Sequence, residues 1–307
     1  MKRIILLFLL FAPTFVHACD ICNFYIGLSP NDYRNSFGII YRSRFLYGEF
    51  NAQGLQTRHA SSVPVDELKK GKEIFNVAEL RFRYYIGKKK KWDLIGAVPL
   101  VNNYRSINGY TQYDVFGAGD PIVLVNHQLF SSKKEKKYLH RLSVGAGIKF
   151  PFGMKHLSYH RAEADLDLQG STGSVDFITR AEYSGLYKNF GWNHQLSYRL
   201  NTVGTDEHHY GNTTNYSVLL FYRKQLAPRR IFAPGAGLIF EHAQQDKDHG
   251  ALLNDSGGNV LLLSTGFDFF AGSTQFQFSY QPALKNNFEG KQFPVVNRFV
   301  CGVTISL

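Results

Sequence analysis

The chain has 307 residues, a formal net charge of +11 and 44% hydrophobic residues, yet its mean hydropathy is only −0.22. That average excludes a bundle of membrane-spanning helices, and the longest apolar run, residues 4–16, is shorter than the about 20 residues that one spanning helix needs. Abundant tyrosine, phenylalanine and glycine, with only 19% charged residues, exclude a disordered chain and favour β-strands joined by tight turns.

The N-terminus has the three parts of a secretory signal peptide. Lys2 and Arg3 precede an apolar core, and residues 16–18 (Val-His-Ala) supply a small-residue cleavage site. We therefore predict that residues 1–18 are removed on export and that residues 19–34 form a periplasmic segment at the start of the mature chain.

Cys19 and Cys22 give that segment a Cys-x-x-Cys motif, for which three interpretations stay open. The pair forms a disulfide, or stays as inert thiols, in an oxidising compartment. Alternatively, Cys19 carries a lipid, although His17 fits a lipoprotein cleavage site poorly. In the third interpretation the two thiolates bind Cu(I) or Zn. Cys301, in the last predicted strand, is expected to be structural.

Alternation of apolar and polar residues with a period of two is the dominant pattern beyond residue 34. In residues 275–280, Phe276, Phe278 and Tyr280 share one face, and glutamine and serine residues occupy the other. Most such segments are longer than the five or six residues usual for a sandwich strand, and they are long enough to cross a bilayer at a tilt. We predict about twelve strands: 36–50, 74–87, 91–105, 114–130, 138–152, 173–188, 190–203, 211–226, 230–244, 258–271, 273–283 and 293–307.

The connections between these strands alternate between short and long. Residues 87–90, 131–137, 188–189, 227–229 and 271–273 are short turns, whereas 51–73, 106–113, 153–172, 204–210, 245–257 and 284–292 are generally longer and polar. An even strand number with short turns at one end is typical of a bacterial outer-membrane barrel. We therefore predict an all-β fold, a closed antiparallel transmembrane β-barrel over residues 35–307, integral to the outer membrane of a Gram-negative bacterium, with short periplasmic turns and longer outer loops. The alternative is a soluble sandwich or lipocalin-like barrel whose apolar row faces inward.

If the apolar row faces lipid, the polar row lines the lumen and is rich in arginine. The predicted lumen-lining residues are Arg42, Arg44, Glu79, Arg81, Arg83, Arg141, Lys149, Asp176, Arg180, Glu182, Arg199, Asp268 and Arg298. Two consequences follow, and they are compatible. Arginines and carboxylates neutralise each other in a narrow barrel, or an excess of positive charge favours anionic solutes.

Glycine-rich motifs in the middle of the chain carry a family resemblance. A Gly-Ala-Gly-Asp-Pro strand, residues 117–121, is followed by a strand ending in Pro151-Phe152-Gly153 and by residues 170–177 (Gly-Ser-Thr-Gly-Ser-Val-Asp-Phe). Over residues 75–307 this order resembles the outer-membrane barrel family labelled "MetA-pathway of phenol degradation". The resemblance implies a barrel that transports small, often apolar or aromatic, molecules and has no catalytic residues.

The start of the predicted mature chain resembles a different group. Its Cys-x-x-Cys motif and residues 25–30 (Tyr-Ile-Gly-Leu-Ser-Pro) look like uncharacterised exported proteins of Bacteroidetes-type bacteria. The Cys-x-x-Cys start is not part of the phenol-pathway pattern.

Other chemistry receives less support from the residues. Loop histidines at positions 156, 160, 208, 209, 242 and 249, the last two near Asp246 and Asp248, suit a Zn or Cu site only weakly. A barrel lipase needs a serine beside a base such as His194, and no spacing supplies one. We therefore expect a monomeric, non-enzymatic channel that passes or binds a small solute, apolar, aromatic or anionic. Its partners are outer-membrane lipid and the solute, without nucleic acid. Metal handling at Cys19 and Cys22 is the alternative function and the one cofactor expected.

Overall fold

Twelve antiparallel strands close into a barrel in the computed structural model, which describes residues 30–51, 68–132 and 138–307. The strands are β1 Ser36–Asn51, β2 Leu68–Ile86, β3 Trp92–Ile107, β4 in two segments, Tyr110–Ala118 and Ile122–Ser131, β5 Tyr138–Lys149, β6 Asp176–Tyr187, β7 Phe190–Leu200, β8 in two segments, Thr213–Tyr222 and Lys224–Ala227, β9 Arg230–Ala243, β10 Gly258–Ala271, β11 Thr274–Phe288 and β12 Val295–Ser306. Each strand pairs with its sequence neighbours, and β1 also pairs with β12, where Ser36 lies opposite Ser306. The predicted closed barrel is confirmed.

The short turns that the structure describes lie at the end of the barrel where β1 begins and β12 ends, except the two-residue turn between β3 and β4. The amide of Leu307 donates to the carbonyl of Asn35, so the two ends of the described barrel meet there. In an outer-membrane barrel this is the periplasmic end. At the opposite, outer end the structure describes the connections 108–109, 150–175, 201–212, 244–257 and 289–294.

One predicted outer loop, residues 106–113, was wrong, because β3 and β4 are joined by only two residues. Asn108 and Gly109 have φ values of 52° and 83°. Positive φ at both central positions is the geometry of a tight hairpin turn whose twist matches that of the flanking strands, and an Asn-Gly pair adopts it readily. Strand β2 likewise starts at Leu68, earlier than predicted, and β11 continues to Phe288.

The apolar row faces outward along the barrel strands. Phe37 and Ile39 on β1, and Phe276 and Phe278 on β11, are each about 40–50% exposed, while the alternate residues are buried. A continuous apolar surface of this extent does not occur on soluble monomers but suits contact with lipid. The soluble alternative, in which this row is internal, is therefore wrong.

The loop between β5 and β6 contains one turn of 3-10 helix, Leu166–Leu168. Among the described residues, no helix has the length and apolar character to cross a bilayer.

An arginine on the lipid face should destabilise the barrel according to its depth. Phe278→Arg, well inside β11, should lower the free energy of unfolding by about 2–4 kcal/mol, because the cation loses its hydration in the acyl region. Ile305→Arg, on the adjacent β12 beside the periplasmic turns, should cost only about 0–1 kcal/mol. Urea titration in lipid vesicles measures both. Equal losses would contradict the proposed membrane position.

Candidate functional site: the barrel interior

The thirteen predicted lumen residues lie on the inner face of their strands. Arg42, Glu79, Arg141, Lys149, Asp176, Glu182, Asp268 and Arg298 are buried, and Arg44, Arg81, Arg83, Arg180 and Arg199 are half-buried. Each has the strand parity opposite to the exposed apolar row. The interior is therefore filled with charged side chains rather than open along its length.

Arginines in the periplasmic half are paired with carboxylates. Arg83 Nε lies 3.0 Å from Asp93 Oδ1, and Arg180 Nη2 lies 2.6 Å from Glu182 Oε2. Arg81 donates to Glu79 at 2.7 Å in the same way. A charge removed from water in a narrow barrel is tolerated when such a partner compensates the lost hydration.

One ion pair with two amide side chains around it lies on the wall formed by β8 to β12. Arg298, fully buried, donates through Nη1 to Glu241 at 2.7 Å and through Nε to Gln281 at 2.5 Å. Asn215 donates to the same Glu241 carboxylate at 3.2 Å. This wall is thus closed by side-chain hydrogen bonds across four strands.

Sequence reasoning missed several of the compensating carboxylates. The thirteen predicted residues comprise nine cations and four carboxylates, but the interior also contains Asp32, Glu73, Asp93, Asp120 and Glu241, together with one further cation, Arg105. Among the described residues this gives ten cations against nine carboxylates, a difference of one charge, so most of the cationic charge counted here is balanced.

An open cavity lies in the periplasmic half of the barrel, where the empty space, counted together with the solvent at its opening, is about 1090 Å³. Its apolar wall consists of Ile40, Ile95, Ala97, Ile122 and Leu124, and its polar wall includes Arg81, Arg83, Arg180 and Gln195. The cavity therefore presents apolar surface directly beside guanidinium groups, since Arg81 and Arg83 are the cross-strand neighbours of Ala97 and Ile95.

The segment before β1 lies across the periplasmic mouth. Asn31 Nδ2 donates to the carbonyl of Gly272 in the β10–β11 turn, and Asp32 accepts from Arg141 on β5 at 3.1 Å. The hydroxyl of Tyr33 donates to Gln128 on β4 at 2.7 Å. These contacts join opposite sides of the barrel, so residues 31–35 narrow the exit from the cavity.

The outer half of the barrel is covered by the β5–β6 loop, residues 150–175, which folds inward. Leu168 in this loop is completely buried, and its carbonyl accepts from Asn103 on β3 at 2.9 Å. Arg105, also on β3, binds Glu73 at 2.6 Å, Asp167 at 2.7 Å and Asp165. One buried guanidinium therefore fastens the loop to the barrel wall.

Tyr210, in the loop between β7 and β8, adds a second fastening. Its hydroxyl donates to the carbonyl of Leu166 at 2.9 Å. Burial, with the nearby Asp167 carboxylate, raises the pKa of Tyr210, so its phenol stays protonated and remains a donor.

The barrel wall is interrupted at residues 119–121, where β4 divides. Its first segment pairs only with β3, and only its second segment pairs with β5. The missing neighbour is replaced by the β5–β6 loop, since the amide of Met154 donates to the carbonyl of Ala118 at 2.7 Å. Gly153 is required at this contact, because a Cβ there would lie 2.7 Å from the Gly119 carbonyl carbon.

A buried lysine holds together the residues around this gap in the barrel wall. Lys149 lies 2.6 Å from Asp176 and 3.1 Å from Asp120, and it also contacts Thr172. Asp120 in turn accepts from the amides of Gly153 and Thr172, both at 3.0 Å. The glycine-rich motifs that carried the family resemblance thus meet at one cluster.

The other predicted sites have different outcomes. Cys19 and Cys22 lie outside the described residues, so their role stays a prediction. Cys301 is an exposed free thiol on β12. The hydrogen-bond partner of His194 Nδ1 is the hydroxyl of Tyr216, at 2.8 Å, and not the serine that a barrel lipase would need.

The loop histidines are also dispersed. His156 lies 2.7 Å from Glu163, whereas His208 lies 3.7 Å from Asp246 in a different part of the outer end. Within the described residues, no three or more histidine, cysteine, aspartate or glutamate side chains are grouped to hold a metal ion.

Comparison with known proteins places this geometry in context. The profile of the family described as "Putative MetA-pathway of phenol degradation" matches residues 60–296. The COG4313 outer membrane channel from Pseudomonas putida F1 shares the fold, with a TM-score of 0.61 and 16% identity over 91% of this chain and 100% of that one.

Two further structures are more distant. The β domain of the Bordetella autotransporter BrkA aligns at a TM-score of 0.45 and 12% identity over 90% and 100% of the two chains. The CymD monoaromatic hydrocarbon channel aligns at 0.37 and 10% identity over 89% of each chain. No curated protein matches the chain.

Removing the Lys149 ammonium should destabilise the barrel strongly. Lys149→Met leaves Asp120 and Asp176 as adjacent buried carboxylates, so the free energy of unfolding should fall by about 3–5 kcal/mol. Adding Asp120→Asn and Asp176→Asn to the same chain should recover most of that loss, because no unpaired charge remains. Urea unfolding in vesicles checks both, and a single variant as stable as the parent would refute the role of the cluster.

Proposed function

The chain belongs to the family described as "Putative MetA-pathway of phenol degradation", and we propose that it is a channel for small neutral apolar or aromatic molecules. It is an integral barrel of the Gram-negative outer membrane and not an enzyme. The cavity in the periplasmic half serves as the binding chamber along the path. The family description, which links these barrels to phenol breakdown, supports an aromatic solute.

The apolar wall of the cavity carries the proposal. Ile40, Ile95 and Leu124 present aliphatic surface to the interior of an otherwise charged barrel. Burying an apolar solute against such a wall yields about 25 cal/mol per Å² of apolar area. A planar aromatic ring gains further from the guanidinium groups that also line the cavity, because guanidinium groups stack on aromatic faces.

An anionic solute is disfavoured by the ion pairs. Arg83 and Arg180 already bind Asp93 and Glu182, so an entering anion has to displace a carboxylate that is held at 2.6–3.0 Å. That exchange removes one buried pair for each new pair formed and leaves a carboxylate uncompensated. A neutral solute enters without this exchange.

Both ends of the path are covered in the structure. The β5–β6 loop covers the outer half and residues 31–35 cross the periplasmic mouth. Passage therefore requires transient displacement of these segments, and the path favours slow passage of single small molecules over free flow of water and ions.

Filling the cavity should reduce uptake. Leu124→Trp places an indole in the chamber, and uptake of radiolabelled toluene by intact Gram-negative cells should fall about tenfold towards that of cells lacking the protein. The matched control is Leu220→Trp, the same change on the outer face of β8, where the side chain is 48% exposed to lipid. This variant should retain uptake.

The same assay with benzoate separates a neutral from an anionic solute. Toluene uptake above background, with benzoate uptake at background, supports the proposal. Faster entry of benzoate than of toluene, or equal toluene uptake with and without the protein, contradicts it.

Loosening the periplasmic mouth should have the opposite effect. Asp32→Asn removes the charge facing Arg141, and a lost contact of about 1 kcal/mol raises the population of an open mouth about fivefold. Single-channel conductance in planar bilayers should show correspondingly more frequent openings. Glu289→Gln, which removes an exposed carboxylate at the outer end, is the control and should leave the opening frequency unaltered.

A further inference from the structure

Basic residues are concentrated at the periplasmic rim. The described turn residues 87–91, 188–189 and 223–230 contain nine lysines and arginines and no aspartate or glutamate. At the outer end, loop 201–212 contains two carboxylates and no lysine or arginine, and loop 244–257 has three aspartates against one lysine. The barrel is therefore strongly polarised, with its cationic rim at the inner leaflet.

The rim is continuous between the β6–β7 and β8–β9 turns. The amide of Arg223 donates to the carbonyl of Asn189 at 2.7 Å, which joins the two turns. Lys188 Nζ lies 5.6 Å from the centroid of the Tyr187 ring, and Lys224 and Arg230 are exposed on the outer side. Three cations thus surround one stretch of the rim.

A row of histidines and tyrosines lies beside this stretch, on the lipid-facing wall of β5 to β8. His140 Nδ1 is 2.8 Å from the hydroxyl of Tyr183, and His194 Nδ1 is 2.8 Å from the hydroxyl of Tyr216. At about 3.4 Å per residue on tilted strands, the two histidines lie about 5 and 10 Å from the strand ends, in the interfacial zone of the bilayer. Polar groups in this position need partners, since lipid tails provide none.

Trp192 completes the wall of this row. A Cβ at residue 185 would lie 2.1 Å from the indole, so Gly185 allows the ring to lie flat against the barrel. The indole meets the His140 ring edge to face at 5.9 Å. Tyr138 and Tyr187 stack at 4.5 Å beside it.

We propose that this wall and rim form a binding site for an anionic phospholipid of the periplasmic leaflet. The phosphate lies among Lys188, Lys224 and Arg230, and the ring nitrogens of His140 and His194 that are not bonded to tyrosine donate to the glycerol ester region. The acyl chains follow the apolar face of β5 to β8. This site is independent of the proposed transport function.

Two features select a lipid over an acidic protein. An acidic periplasmic protein reaches the cationic turns but not a row of donors up to about 10 Å inside the bilayer. Only an amphipathic molecule contacts both, with its headgroup at the rim and its tails in the acyl region. Because the rim is cationic, it favours a lipid with an anionic headgroup.

The two tryptophans of the chain provide the test. Trp92→Phe leaves Trp192 as the sole reporter, and the full-length protein is reconstituted in vesicles that contain phospholipids with brominated acyl chains, which quench nearby indoles. Brominated phosphatidylglycerol should occupy the site at least about fivefold more readily than brominated phosphatidylcholine. In the triple variant Lys188→Gln, Lys224→Gln and Arg230→Gln the preference should fall to near one.

A matched triple variant at the outer end, Lys247→Gln, Lys285→Gln and Lys291→Gln, carries the same charge change and should keep the preference. Tyr183→Phe with Tyr216→Phe, which alters no charge, should lower it about twofold to threefold. Heat-dependent migration in SDS verifies that each variant is folded.

Several results would overturn the proposal. They are equal quenching by the two lipids, which indicates ordinary annular contact, and a preference unchanged by the rim variant. Loss of the preference in millimolar inorganic phosphate would assign the rim to free phosphate. Absence of lipid preference, with an acidic protein protecting the rim lysines from acetylation, would assign it to a protein.

Discussion

An ionised side chain inside a narrow β-barrel is removed from water, and its desolvation is offset only by an opposite charge held at short range. Arg298 with Glu241 and Lys149 with Asp176 meet this requirement at 2.7 and 2.6 Å. The partner lies on the same strand for Arg180 and Glu182, on the neighbouring strand for Lys149 and Asp176, and across the interior for Arg298 and Glu241. The ion pairs inside the barrel therefore determine which loops can pack against which strands.

The same pairs attach the segments that cover the two ends. Asp32 comes from the segment before β1 and Asp167 from the inward loop, yet both bind arginines, Arg141 and Arg105, that belong to the wall. At each end, the segment that covers the barrel therefore also supplies the carboxylate that neutralises an arginine of the wall. Displacing either segment exposes an arginine to the interior, so an open state carries an electrostatic cost and stays a minor population.

Strand number and the inward positions of most arginines follow from the sequence, because alternation has to match the two faces of a closed sheet. Asp93 and Glu241 were missed since the inward residues next to them on their strands, Ile95 and Ile239, are apolar. Asp32 was missed because it precedes the first strand. No local pattern predicts that such a segment or loop folds inward, since that depends on contacts between residues distant along the chain.

Near-neutrality of the interior changes what selects the solute. In the proposed channel, arginines such as Arg83 and Arg180 are bound to carboxylates, so discrimination between solutes would depend on the aliphatic wall of the cavity. A cluster of cations lies instead on the outside of the barrel, at the periplasmic rim. In the two proposals, charge acts on the surrounding membrane and apolar surface acts on the solute.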